Sequence, residues 1–192
     1  MSNFGYLAEM PEYKLFAAAA IEAERVFATS PAMCAVGCRK AAELAVKWVY
    51  AADDTIQDPY KDNLQSLIHE PSFRFNFDQK VWSKLLFIVK IGNESVHSEK
   101  TIRKEEALLA LRNLFEFIQC VIYMYGSEYD ERRFDPALIP VRKVVVDTKK
   151  IKEQESLIEQ KESEIQALQA QIAQMSAALT AGKQEHKDTR SF

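Results

Sequence analysis

An all-α fold is predicted for this sequence: an antiparallel helical bundle, then an extended connector, then a long coiled-coil helix. Three observations carry the prediction. Only 5 Gly and 6 Pro occur among 192 residues, so turn-forming positions are scarce. Apolar residues recur at three- and four-residue steps through most of residues 12–125, which is the spacing of one helix face. Ile151, Ile158, Ile165, Ile172 and Leu179 fall seven apart, the repeat of a seam where one helix packs on another.

The first helix is expected over about Glu12–Ala28, with Pro11 just ahead of it and Leu15, Ala18, Ala19, Glu22 and Val26 along one side. Ser30-Pro31 then starts a second helix, about Pro31–Ala52. Ser can cap, and Pro fits the first turn because its missing N–H would be unpaired there anyway. Ala41, Leu44, Ala45, Trp48 and Val49 form its apolar stripe, with Arg39, Lys40, Glu43 and Lys47 mainly off it. Residues 53–60 read as a polar loop, 62–69 as a short helix capped by Asp62, and 71–77 as an aromatic-rich loop. Asp78 starts a strong helix through Val81, Trp82, Leu85, Leu86, Ile88 and Val89, which runs into Gly92–His97. The last core helix spans about Ile102–Tyr125 and stops at Gly126, burying Leu108, Leu111, Leu114, Phe115, Ile118 and Ile122. A bundle of that size buries over about 60% of its unfolded surface and can stand alone.

The domain expectation is a bundle over 1–126, a connector over 127–147, a coiled-coil helix over 148–182 and a polar tail over 183–192. Pro136 and Pro140 interrupt any helix in the connector, and Val144–Val146 reads as a short strand or a packed segment. In the heptad array, Leu168 and Met175 hold the second seam position, while Gln154 and Lys161 hold it earlier. Unbroken, the array would reach about 50 Å. The tail does not finish like a domain, so the chain is expected to be part of a longer protein.

Composition narrows the function. Net charge is −3, without the basic excess or stripe that a grip on nucleic-acid backbone usually shows. Cys34, Cys38 and Cys120 make an odd set that fits reduced, buried thiols and a cytoplasmic setting. Cys34 and Cys38 share a helix face, but no second Cys or His pair completes a zinc site. No apolar run is long enough to suggest a membrane span, and no signal peptide pattern is present. Nucleotide-binding glycine loops, HExxH and paired CxxC are absent. Asp53-Asp54 reads as a loop and Glu105-Glu106 as a solvated first helical turn.

The remaining chemistry lies at Asn93 and His97. Four residues apart, they face the same way on a helix. A neutral imidazole there could serve as general acid or base. The plainer reading is that both residues fix the turn before the last core helix.

Three pieces carry a family resemblance: Ser2-Asn3-Phe4-Gly5-Tyr6-Leu7, Arg39-Lys40-Ala41-Ala42-Glu43, and Gly92-Asn93-x-x-Val96-His97 after an apolar helix. With the heptad helix behind them, they resemble the N-terminal region of the R subunit of type I restriction enzymes, over about residues 1–182. That resemblance implies a HEPN-like bundle. HEPN ribonucleases carry an Arg-Asn-x-x-x-His type motif whose Arg and His cooperate at a dimer seam. Here Asn93 and His97 match, but Gly92 occupies the Arg position. Related R subunits often show Arg two or three residues earlier, where this chain has Lys90 and Val89. Lys90 lacks the planar fork of Arg, which argues against RNA cleavage.

The resemblance therefore implies a non-catalytic assembly or regulatory module with no cofactor or metal of its own. Its parent would be an ATP-dependent DNA translocase and endonuclease using ATP and Mg2+ in domains beyond Phe192. The expected partners are other subunits of a restriction-modification complex, with DNA met only through the parent and no membrane. Two other readings stay open. One is a HEPN-like ribonuclease using His97 and Asn93, with Lys90 in place of Arg. The other is a stand-alone adaptor that dimerises through Ile151, Ile158, Ile165, Ile172 and Leu179.

Overall fold

A computed structural model describes residues 2–97 and 101–141, together with helical positions 156–157, 160–161, 163–166 and 169. The chain divides into two units, Met1–Arg142 and Lys143–Phe192. The described residues are helical or irregular, with no strand among them.

The first unit is a helical bundle of α1 (Lys14–Val26), α2 (Pro31–Ala52), α3 (Leu64–His69), α4 (Pro71–Asn76), α5 (Gln79–His97) and α6 (Lys104–Tyr125). Short 3-10 turns at Gly5–Glu9 and Pro11–Tyr13 lead into α1, and another follows at Pro136–Leu138. α2 is the hub, packed on α1, α5 and α6, and α5 also packs on α6. Its buried face, Cys34, Ala35, Cys38, Ala41, Ala42, Ala45, Val46 and Val49, is made of small side chains. Small residues let neighbouring helix backbones come close. Gly37 marks the tightest point against α1, where an added Cβ would stand 2.9 Å from Ala23 Cβ. Larger apolar groups fill the space around α6, whose Leu111, Leu114, Phe115, Phe117, Ile118 and Val121 are buried. α6 is long and apolar enough by itself to cross a bilayer, but 61% of its most apolar window is buried inside the bundle.

Local signals set the helix ends. The Ser30 hydroxyl accepts from Met33 N at 3.2 Å, with Pro31 in the first turn. The Asp78 carboxylate accepts from Lys80 N at 2.6 Å and Val81 N at 2.9 Å. These satisfy amides that a helix start leaves without internal partners. Arg103 N donates to the Glu106 carboxylate at 3.0 Å ahead of α6, and Gly126 ends that helix.

Five details differ from the sequence reading. α1 buries Phe16, Ala17, Ala20, Ala23 and Glu24, while Leu15 is 54% exposed and Ala18 and Glu22 are also exposed. Alanine at 17–20 gives the helix two apolar stripes of similar strength, and contact with α2 chooses between them. α3 is capped by Asn63, whose Oδ1 accepts from Ser66 N at 3.0 Å, whereas Asp62 pairs with Lys47 at 3.1 Å. Residues 71–76 are helical, not a loop: Pro71 suits a first turn, and burial of Phe73 and Phe77 on either side of the segment's end holds it down. Gly92–His97 is itself regular helix that completes α5, not a separate segment that the helix runs into.

The fifth difference concerns the connector. Residues 127–141 belong to the first unit, because Phe134 packs edge-on against Phe115 at 5.8 Å and Ile139 is buried. Asn3 ties them further: its Nδ2 donates to Asp135 O at 2.9 Å and its Oδ1 accepts from Asp135 N at 2.8 Å. Val144–Val146 and the seam positions Ile151, Ile158, Leu168, Ile172, Met175 and Leu179 lie outside the described residues. Within the second unit, Ile165 is helical and 53% exposed.

Candidate functional site

α5 carries the sequence-predicted site on its last two turns. Residues 90, 93, 94 and 97 follow the three- and four-residue steps of one helix face. Lys90 and Asn93 are exposed on it, and Lys90 Nζ reaches the Glu94 carboxylate at 4.0 Å. His97 is the last residue of α5, and its side chain lies outside the described residues. The structure thus leaves Lys90 and Asn93 open on one helix face, with position 97 on the same face by its register. Among the described residues of the first unit, five clefts of 340–620 Å³ have linings that include neither Lys90 nor Asn93.

Gly92 faces the other way, into the bundle. It is buried against α2, where the side chain of Arg39 lies over it. A Cβ at position 92 would stand 2.5 Å from Arg39 Cβ and 2.8 Å from Arg39 Cδ. Only glycine permits that approach without displacing α2 from α5. The glycine in the motif is therefore a packing residue. Arg39 Nε is buried and has no hydrogen-bond partner. Arg39 was legible in the sequence only as a motif residue, because its contact is made across 53 positions of chain.

Chemically, the face offers an amide at Asn93 and a cation at Lys90 that is shared with Glu94. Ser95 Oγ donates to Ile91 O at 2.8 Å and so is spent on its own helix. Among the described residues, no group of three or more His, Cys, Asp or Glu side chains could hold a metal ion. Cys34 and Cys38 are both fully buried, and burial pushes the Cys38 thiol well up, with the neighbouring Cys34 adding to it. These two thiols serve packing.

A second feature was not anticipated. Residues 129–134 run back along α6, pairing Tyr129 with Tyr123, Arg132 N with Gln119 Oε1 at 3.2 Å, and Phe134 with Phe115. Arg132 lies over the Tyr6 ring at 4.6 Å, and Tyr6 Oη accepts from Gln119 Nε2 at 2.7 Å. Burial pushes the Tyr6 hydroxyl up to about 12, so it stays neutral. The available signal was Tyr123, Tyr125 and Tyr129 followed closely by Arg132 and Arg133, within a stretch whose prolines otherwise suggest a spacer.

No curated protein and no solved structure matches the chain. Residues 21–166, more than half of it, match the model of a family described as a domain of unknown function, DUF4145.

Proposed function

The chain belongs to the DUF4145 family, and from that premise we propose that it is a non-catalytic assembly or regulatory module of a type I restriction-modification R subunit, acting in the cytoplasm. The observation that carries this reading is the contact of Arg39 with Gly92. Two of the motif pieces behind the resemblance meet there in a purely packing role. The third does the same, since Phe4 and Leu7 are fully buried. The motif residues thus support a scaffold. Its partners would be the other subunits of the complex. The exposed Ile165 supports pairing of the heptad helix with a second helix. ATP and Mg2+ would be used by motor and nuclease domains of the parent, as would DNA. The test is the coding sequence after codon 192. Nuclease and motor domains encoded in frame support the reading, and a stop codon there overturns it.

A second reading has one observation in its favour: Lys90, Asn93 and His97 share a helix face by their three- and four-residue spacing on α5. That set would suit a HEPN-like ribonuclease with Lys90 supplying the missing motif cation. Incubation of the purified chain with RNA tests it. Cleavage lost in His97→Ala supports the ribonuclease, and intact RNA removes it.

A further inference from the structure

A groove of about 480 Å³ opens between α6 and the returning segment 129–134. Four cations line it: Lys84 from α5, Arg112 from α6, and Arg132 and Arg133 from the segment. The lining holds a single carboxylate, Glu116. Glu116 is shared between Lys84 and Arg112, the latter at 3.0 Å. Burial alone would raise its carboxyl, but the two cations outweigh burial and hold it below the usual range. Arg132 is held by Asp130 at 2.9 Å. Arg133 is exposed and makes no ion pair among the described residues. A chain of net charge −3 therefore concentrates positive charge in one cleft.

The same cleft presents two aromatic rings. Tyr123 and Tyr129 are 68% and 42% exposed and meet edge-on, with centroids 5.1 Å apart. Both are large apolar surfaces left open beside arginine. Nucleic-acid bases stack on such rings whatever their identity, while guanidinium forks take the phosphates. An acidic peptide would use the cations and leave the rings idle. Asp130 and Glu131 line the cleft on the other side of the segment, with Asp130 turned to Arg132, so the α6 side is the one that accepts an anion.

The geometry points to a binding site for single-stranded nucleic acid in this groove, with phosphates on Arg133 and its neighbouring cations and one or two bases on Tyr123 and Tyr129. The site is separate from the α5 face and does not depend on the restriction reading. Duplex is a poor fit because its bases are stacked on one another and cannot reach the rings. With two or three phosphates contacted, affinity falls with salt at a log–log slope of about −1.5 to −2.

The test is fluorescence anisotropy of the full chain with a labelled short oligouridylate at low salt. Saturable binding is expected, stronger than for a duplex of the same length. Tyr123→Ala should weaken it about 5- to 100-fold, the range of one stacked base. Arg133→Gln should weaken it and flatten the salt slope. Both side chains are exposed, so each variant should keep the thermal midpoint of the parent chain. Three results overturn the proposal: no binding at low salt, binding unchanged in both variants, or equal binding of a labelled polyglutamate peptide that ignores Tyr123→Ala.

Discussion

Asn3 gives two hydrogen bonds to one carboxylate oxygen of Glu24, from its backbone N at 3.0 Å and from its side-chain Nδ2 at 2.6 Å. Glu24 is fully buried, and its other oxygen, Oε2, has no partner. Asn3 is thus what makes a buried carboxylate tolerable on α1, and the same side chain holds Asp135 at the far end of the unit. A buried acceptor that loses its donor costs more than an ordinary hydrogen bond contributes. Asn3→Ala is expected to destabilise the bundle by about 2–4 kcal/mol. Urea unfolding reads the loss, and hydrogen exchange at the Asp135 amide should quicken with it. An unchanged urea midpoint would show that the latch contributes nothing.

Gly92→Ala tests the contact between α5 and α2. Alanine is the better helix former by about 1 kcal/mol, so an open site would be stabilised. Here the nearest atom is Arg39 Cβ, which cannot rotate away. Overpacking of this kind costs about 1–3 kcal/mol, and a net loss of stability in urea is expected. Adding Arg39→Ala should restore only part of it, because the Cβ of residue 39 remains.

The aspartates at helix ends give the unit a slope in acid. Asp78 is held below the usual carboxylate range by the N–H of Val81, with the Lys80 N–H and nearby lysines adding to it. Asp53 is held down by the Thr55 hydroxyl first and the Tyr125 hydroxyl second. Both folded values are depressed, so the unfolded chain takes up protons first as pH falls. The stabilisation is complete above the ordinary aspartate range and is lost as pH drops through the lower folded values. Thermal midpoints should fall over that acid window. Asp78→Asn should start lower at neutral pH and converge on the parent chain in acid. Parallel pH curves for the two proteins would show that Asp78 carries none of the slope.

The heptad seam predicts self-association. Ile165→Asp together with Ile172→Asp should convert a concentration-dependent dimer into a monomer in sedimentation equilibrium, since a charge at a seam position is buried on pairing. A parent chain that stays monomeric at high concentration counts against the dimer arm.

Much of this architecture was legible from residue order. α2 was readable to its ends because Ser30-Pro31 and Asp53 are local signals, and the Asp78 start and Gly126 stop of the last two long helices were equally local. Errors arose where the deciding contact was distant. The alanine run of α1 left its buried side undetermined until α2 was beside it. Residues 71–76 looked like a loop because their helix is too short to show a period, and it is the burial of Phe73 and Phe77 that holds it. The candidate face of Lys90, Asn93 and His97 was readable from spacing. The contact of Arg39 with Gly92 was not, and neither was the groove of Tyr123, Tyr129, Arg132 and Arg133.

The sequence by itself determined that this protein is helical and where most helices begin and end. Propensity, capping and periodicity act over a few residues, so they can be read from a few residues. Only the tertiary structure decided that Gly92 is there for Arg39, that Glu24 is tolerated because of Asn3, and that the stretch after Gly126 is a wall of the bundle. Those outcomes depend on which surfaces meet, and packing selects among faces that the local pattern leaves equivalent.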